Sequence, residues 1–101
     1  VSKMSVELKM FTAKWCGPCQ QMKPLMMRLE EVGYPIEIVD IEERQTLAES
    51  NNISAVPTTI IFNDNVEVEK MMGFKSVAEV LARLHMYMEP LELPKEFTDA
   101  S

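Results

Sequence analysis

The chain has 101 residues, 47% of them hydrophobic and 26% charged, which suits one globular domain with a core of its own. A net charge of −6 excludes the basic face that nucleic-acid binding requires. No apolar run approaches the roughly 20 residues of a membrane span. No basic, then apolar, opening reads as a secretory signal, although a start at Val1 rather than Met leaves room for an earlier leader.

Val6 to Phe11 mostly alternates apolar and polar residues, then turns apolar, and predicts a strand entering the interior. The only two cysteines follow in the run Trp15-Cys16-Gly17-Pro18-Cys19. From Gln20 to Val32 a helix is expected, with Met22, Leu25, Met26, Leu29 and Val32 on one stripe. Pro24 inside it should kink it, and Gly33 suits its C-terminal end. Ile36 to Ile41 reads as a second strand, and Glu42 to Asn51 as a short helix with an acidic start. Thr58 to Phe62 is a buried strand, Asn63-Asp64-Asn65 a hairpin turn, and Val66 to Met72 an exposed return strand. Ser76 and Glu79 form a capping box. The helix behind it carries Val77, Val80, Leu81, Leu84 and Met88 on one face.

The order is β-α-β-α-β-β-α. Two β-α-β steps predict parallel strands, and the hairpin adds an antiparallel edge. The fold class is α/β, a four-stranded mixed sheet with helices on both faces. The domain is placed at residues 1–90, and 91–101 are expected to form a loosely held tail.

Two thiols separated by two residues can close and reopen a small disulfide ring, as thiol–disulfide exchange requires. Between a strand end and a helix start, Cys16 lies near unpaired N–H groups and the positive helix end, which lowers a thiol pKa. Cys19, about one turn on, should face inward. Cys16 is therefore expected to attack a substrate disulfide and Cys19 to resolve the mixed disulfide. Lys14 adds a screened positive charge. A zinc site would need four ligands, and only His85 is left to join the pair. A structural disulfide across so short a loop would stabilise little. A single close pair is typical of catalytic thiols in a reducing cytoplasm, the location expected here. Pro57 belongs at a strand start. An ordinary trans turn proline fits it, and a cis bond would also suit a tight turn. Met22, Met26 and Met72 are read as core filling, and the acidic stretch from Glu30 to Glu49 as a solvated face.

Phe11, Ala13, Trp15 through Cys19 and Pro24 resemble the active-site segment of thioredoxins. Val56-Pro57-Thr58 resembles their cis-proline loop, and Gly73 falls where they carry a glycine near the site. The resemblance runs from Val6 to about Met88. It implies a thioredoxin-like fold, Cys16 as nucleophile, Cys19 as resolving cysteine, and Pro57 as the cis-proline packed on the disulfide. It further implies a substrate surface of Trp15, Gly17, Pro18, Val56, Pro57 and Gly73, with the Val56 backbone pairing to substrate. It implies a monomer with no bound cofactor or metal. Its partners would be disulfide-containing proteins, with ribonucleotide reductase as a family-level candidate, and a flavin/NADPH-dependent thioredoxin reductase would recharge it.

The chain departs from the family's pattern in three ways. It lacks the first strand and helix and so resembles short, glutaredoxin-sized thioredoxins of some microbes and phages. Met10 and Ile38 stand where a buried Asp and a Lys are usual, and Thr12 where a Trp is usual. Losing both buried charges together is physically consistent, because one alone would be costly. It also removes the usual proton acceptor for Cys19, so slower resolution or proton transfer through water is expected. Two other readings compete: a thioredoxin-fold binding module that does not need the thiols, and an oxidant or isomerase.

Overall fold

β1 (Val6–Thr12) lies inside a four-stranded sheet, as shown by a computed structural model that describes residues 5–93. The other elements are α1 (Gly17–Val32), β2 (Ile36–Asp40), α2 (Gln45–Ser50), β3 (Thr58–Asn63), β4 (Val66–Met72) and α3 (Val77–Leu84). The strand order is β2-β1-β3-β4. β1 and β2 are parallel; β1–β3 and β3–β4 are antiparallel.

Only the first β-α-β step therefore gives a parallel pair, contrary to the expectation of two. Element lengths supply the reason. A six-residue α2 rises about 9 Å, whereas a strand the length of β2 covers about 16 Å. Packed on Phe11, Val39 and Ile60, so short a helix returns the chain only partway along the sheet, and β3 enters from the end at which β2 leaves.

Alternation along the strands builds two apolar layers. Leu8, Met10, Ile36, Ile61 and Met71 meet Met22, Met26 and Leu29 of α1 and Val80, Leu81 and Leu84 of α3. On the other side Phe11, Val39 and Ile60 pack with Leu47 of α2. Helices thus cover both faces of the mixed sheet, as the element order implied. Each fully buried side chain of this size contributes about 1.5–3 kcal/mol.

Local chemistry accounts for the element ends. α1 begins at Gly17, three residues before the position read from periodicity, because Cys16 serves as N-cap and Pro18 suits the first turn. Gly33 closes α1 at φ 123°. The Asp40 carboxylate accepts from the Glu42 and Glu43 backbone N–H groups at 2.8 and 3.3 Å, so Glu42–Arg44 form a turn and α2 starts only at Gln45. Asp64 and Asn65 take φ of 54° and 68° in the hairpin turn, and Asn63 ends β3. The Ser76–Glu79 capping box is present at α3.

Two other expectations are corrected. Met72 is exposed rather than core, because it follows Met71 on an edge strand and points to the opposite face. α3 ends at Leu84, so Met88 reaches the core from outside the helix. His85 follows α3 and its ring Nε2 lies 2.7 Å from the Tyr34 hydroxyl. That hydroxyl accepts from the Leu91 backbone N–H at 2.9 Å, and Leu91 and Leu93 pack against the core. Residues 94–101 of the expected tail lie outside the described residues.

Candidate redox site

Three chain segments meet at one end of the sheet: the β1–α1 connection, the residues before β3 and the residues after β4. Cys16 and Cys19 are joined as a disulfide. Cys16 ends the non-helical entry to α1, and its Sγ accepts from the Cys19 backbone N–H at 3.2 Å. This donor is one of the orphan N–H groups of the first helical turn, and with the helix dipole it favours a thiolate on Cys16 once the pair is reduced. Cys19 is fully buried, whereas Cys16 keeps a small exposed area. The less buried of the two cysteines is thus the one whose sulfur the helix end stabilises.

The entry loop is braced from within. Cys16 N–H donates to the Ala13 carbonyl at 3.2 Å, and the Gln20 amide donates to the same oxygen at 3.1 Å. Gly17 and Pro18 are exposed beside the sulfurs, and a Cβ on Gly17 would meet no atom within 4 Å. Trp15 is 67% exposed, with its indole N–H donating to Glu42 at 3.3 Å. Lys14 pairs with Glu43 at 3.2 Å; that hydrogen bond raises its pKa, and both groups are in solvent.

The Val56–Pro57 peptide bond is cis, and Pro57 is buried. The Val56 carbonyl lies 3.6 Å from Cys16 Sγ, within reach of a thiol proton in the reduced form. Gly73 takes φ 88°, where a side chain would be strained, and its N–H donates to the Pro57 carbonyl at 2.8 Å. The structure therefore brings Trp15, Cys16, Gly17, Pro18, Cys19, Val56, Pro57 and Gly73 together.

Sequence reasoning did not single out Glu42, Gln20 or Phe74. Glu42 reaches Trp15 across two connections, a proximity with no sequence signal. Gln20, the expected start of the helix, lies inside α1, and Phe74 follows Gly73 with 43% exposure. Met10 and Ile38 are register partners on β1 and β2, so the two apolar substitutions face each other. Met10 is fully buried in the same cluster as Cys19. Among the described residues the buried polar ones are Thr12, Thr58 and Thr59, and none of them is an acid. Among the described residues no group of three His, Cys, Asp or Glu side chains could hold a metal ion, and no helix is long and apolar enough to cross a membrane.

A cysteine capping a helix, a second cysteine buried one turn on and a cis Val56–Pro57 bond whose Val56 carbonyl lies against Cys16 define a thiol–disulfide oxidoreductase. The comparisons specify which kind. The sequence model of the thioredoxin family matches residues 1–86. A thioredoxin of Chlamydia caviae is 32% identical over 79 residues, covering 76% of this chain and 78% of the relative. A Bacillus subtilis thioredoxin is 37% identical over 73 residues, covering 69% and 70%. Among solved structures, a mutant thioredoxin from Halobacterium salinarum superposes with a TM-score of 0.73 at 30% identity, covering 86% of this chain and 78% of that one. The chain belongs to the thioredoxin family, and its activity is the reduction of protein disulfides through Cys16 and Cys19.

Proposed function

We propose that the chain acts as a cytoplasmic electron carrier in which Cys16 attacks and Cys19 resolves. The Cys16 thiolate attacks one sulfur of a substrate disulfide, the substrate S–S bond breaks, and the departing sulfur takes a proton. A mixed disulfide joins Cys16 to the substrate. Cys19 loses its proton and attacks Cys16 Sγ, which closes the protein disulfide and releases the second substrate thiol. Two electrons pass from the cysteine pair to the substrate. A flavin/NADPH-dependent reductase returns them, and ribonucleotide reductase is one candidate acceptor. The chain needs no further bound cofactor, because the sulfur pair itself carries the electrons.

The observation that carries this reading is the unequal setting of the two sulfurs. Cys16 receives the Cys19 N–H at the helix end, while Cys19 is sealed behind it. Trp15, Gly17, Pro18, Val56, Pro57 and Gly73 form the surface that receives the substrate, with Val56 offering its backbone. With Met10 and Ile38 apolar, the Cys19 proton leaves without a buried carboxylate, so resolution is slow relative to attack. Trapping tests the division of roles. Cys19→Ser should accumulate a mixed disulfide with a disulfide-containing substrate protein, and Cys16→Ser should accumulate none. Accumulation in the Cys16→Ser variant alone would reverse the assignment.

A further inference from the structure

The reactive pair sits in the middle of one sheet end, and the two edges of that end differ in charge. β1, β2 and β4 finish at this end and β3 starts there, so the ends of β2 and β4 flank Cys16 on opposite sides. Adjacent strands lie about 4.8 Å apart, so the edges are separated by about 14 Å, the reach of about four extended residues.

Beyond β2, acid predominates. Glu42 is bonded to Trp15, Glu43 is paired with Lys14, and Asp40 holds the turn. Arg44 is taken up by Glu37 at 2.6 Å, and Lys23 of α1 faces the same groove together with Glu30. Beyond β4, cations predominate. Lys70, Lys75 and Arg83 line one groove with Met72 and Glu79. The Glu79 carboxylate is held by the Ser76 N–H at 2.9 Å, Glu69 offsets Arg83 at 3.4 Å, and the Lys70 ammonium donates to the Asn51 carbonyl at 3.2 Å, which leaves Lys75 as the main cation of this flank. Between the flanks Trp15, next to Cys16, and Met72 and Phe74, on either side of the Gly73 that bonds to Pro57, are exposed. Three large exposed apolar side chains on the segments that meet at the cysteine pair mark a docking face rather than scattered surface residues.

We propose that this face docks a protein segment of polarised charge. Its disulfide cysteine meets Cys16 and an apolar neighbour rests on Trp15, Met72 or Phe74. A basic side chain points to the Asp40–Glu43 flank and an acidic one to the Lys75–Arg83 flank. This deepens the dithiol-reductase reading and rests on it. Charge complementarity of this kind sets orientation and encounter rate more than affinity, and salt screens it.

The test uses the reduced protein and short peptides whose central cysteine is linked by a disulfide to a chromophoric aryl thiol. One peptide carries Lys before and Glu after the cysteine, a second carries the reverse order, and a third is neutral. The first two have the same net charge, so long-range attraction cannot separate them. One order should react roughly fivefold faster than the other at low ionic strength, the size expected for a few exposed ion pairs. The two rates should converge in about 1 M salt, where the screening length is about 3 Å. The double variant Glu43→Lys/Lys75→Glu should invert the preference. Equal rates for both orders at low salt, or a preference that the double variant leaves in place, would overturn the proposal. Failure to reduce even the neutral peptide would instead overturn the dithiol reading on which it rests.

Discussion

The two ends of α1 solve the same problem in opposite ways. Every helix leaves orphan N–H groups at its start and orphan carbonyls at its end. At the start, one of these donors is spent on a sulfur: the Cys19 N–H meets Cys16 Sγ, and Trp15, Gly17 and Pro18 stay exposed around it. At the end, Gly33 turns the chain, its N–H returns to Glu30, and the Tyr34 N–H returns to Leu29. Tyr34 is then buried, and its hydroxyl ties His85 and Leu91 to the helix end. One end leaves its polarity available for chemistry, and the other consumes it in packing. Activity and stability should therefore separate along a single helix.

The largest expected separation comes from Cys16→Ser. Disulfide reduction should fall to background, while stability against urea, compared with the reduced parent, moves by less than about 1 kcal/mol. Tyr34→Ala should do the reverse. It opens a cavity and frees the Leu91 segment, costing about 3–5 kcal/mol by urea unfolding, with the specific rate of the folded fraction unchanged. A large rate loss in that variant at full stability would break the comparison.

Met10→Asp sharpens it from inside. A carboxylate in the cluster that holds Cys19 gives the resolving thiol a proton acceptor. Single-turnover resolution should accelerate about tenfold or more, and the Cys19 titration should shift, at a cost in stability. An unchanged titration and rate would remove the proton-acceptor argument. Thr59→Val is a smaller test. The Thr59 hydroxyl is buried with no hydrogen-bond partner among the described residues, so its removal should raise stability by about 1 kcal/mol, read from the thermal midpoint.

The smallest effect concerns pH. The Lys9 and Arg44 hydrogen bonds hold the Glu37 carboxyl below its ordinary value of 4.5. A carboxylate pKa lowered on folding contributes stability above the unfolded value, and that stability is lost as pH falls through the folded value. Urea midpoints of the parent should therefore fall more steeply below about pH 4.5 than those of Glu37→Gln, and parallel curves would discount the cluster.

Much of the chemistry was legible in the sequence because it is local. Trp15 to Cys19 lie within five residues, and their place between a predicted strand and a predicted helix puts the pair near a helix start. The cis state of Pro57 was not legible from its neighbours; it required the resemblance to a family. What escaped the reading was long-range or set by competition. The antiparallel entry of β3 goes with a short α2, and that helix starts late because Asp40 holds Glu42 and Glu43 in a turn. Met72 was read as core from its apolarity, although strand alternation at a sheet edge turns it outward. Glu42 beside Trp15 and Leu91 on Tyr34 are contacts between segments 27 and 57 residues apart, invisible to any periodicity.

The most direct test of the account is the reduction potential of the Cys16–Cys19 pair, from equilibration against a dithiol buffer with thiol trapping. The account predicts a value near about −270 mV, the range of a thioredoxin-type reductant. A value between about −180 and −120 mV, where isomerases and periplasmic oxidants lie, would contradict it and make the protein a donor of disulfides.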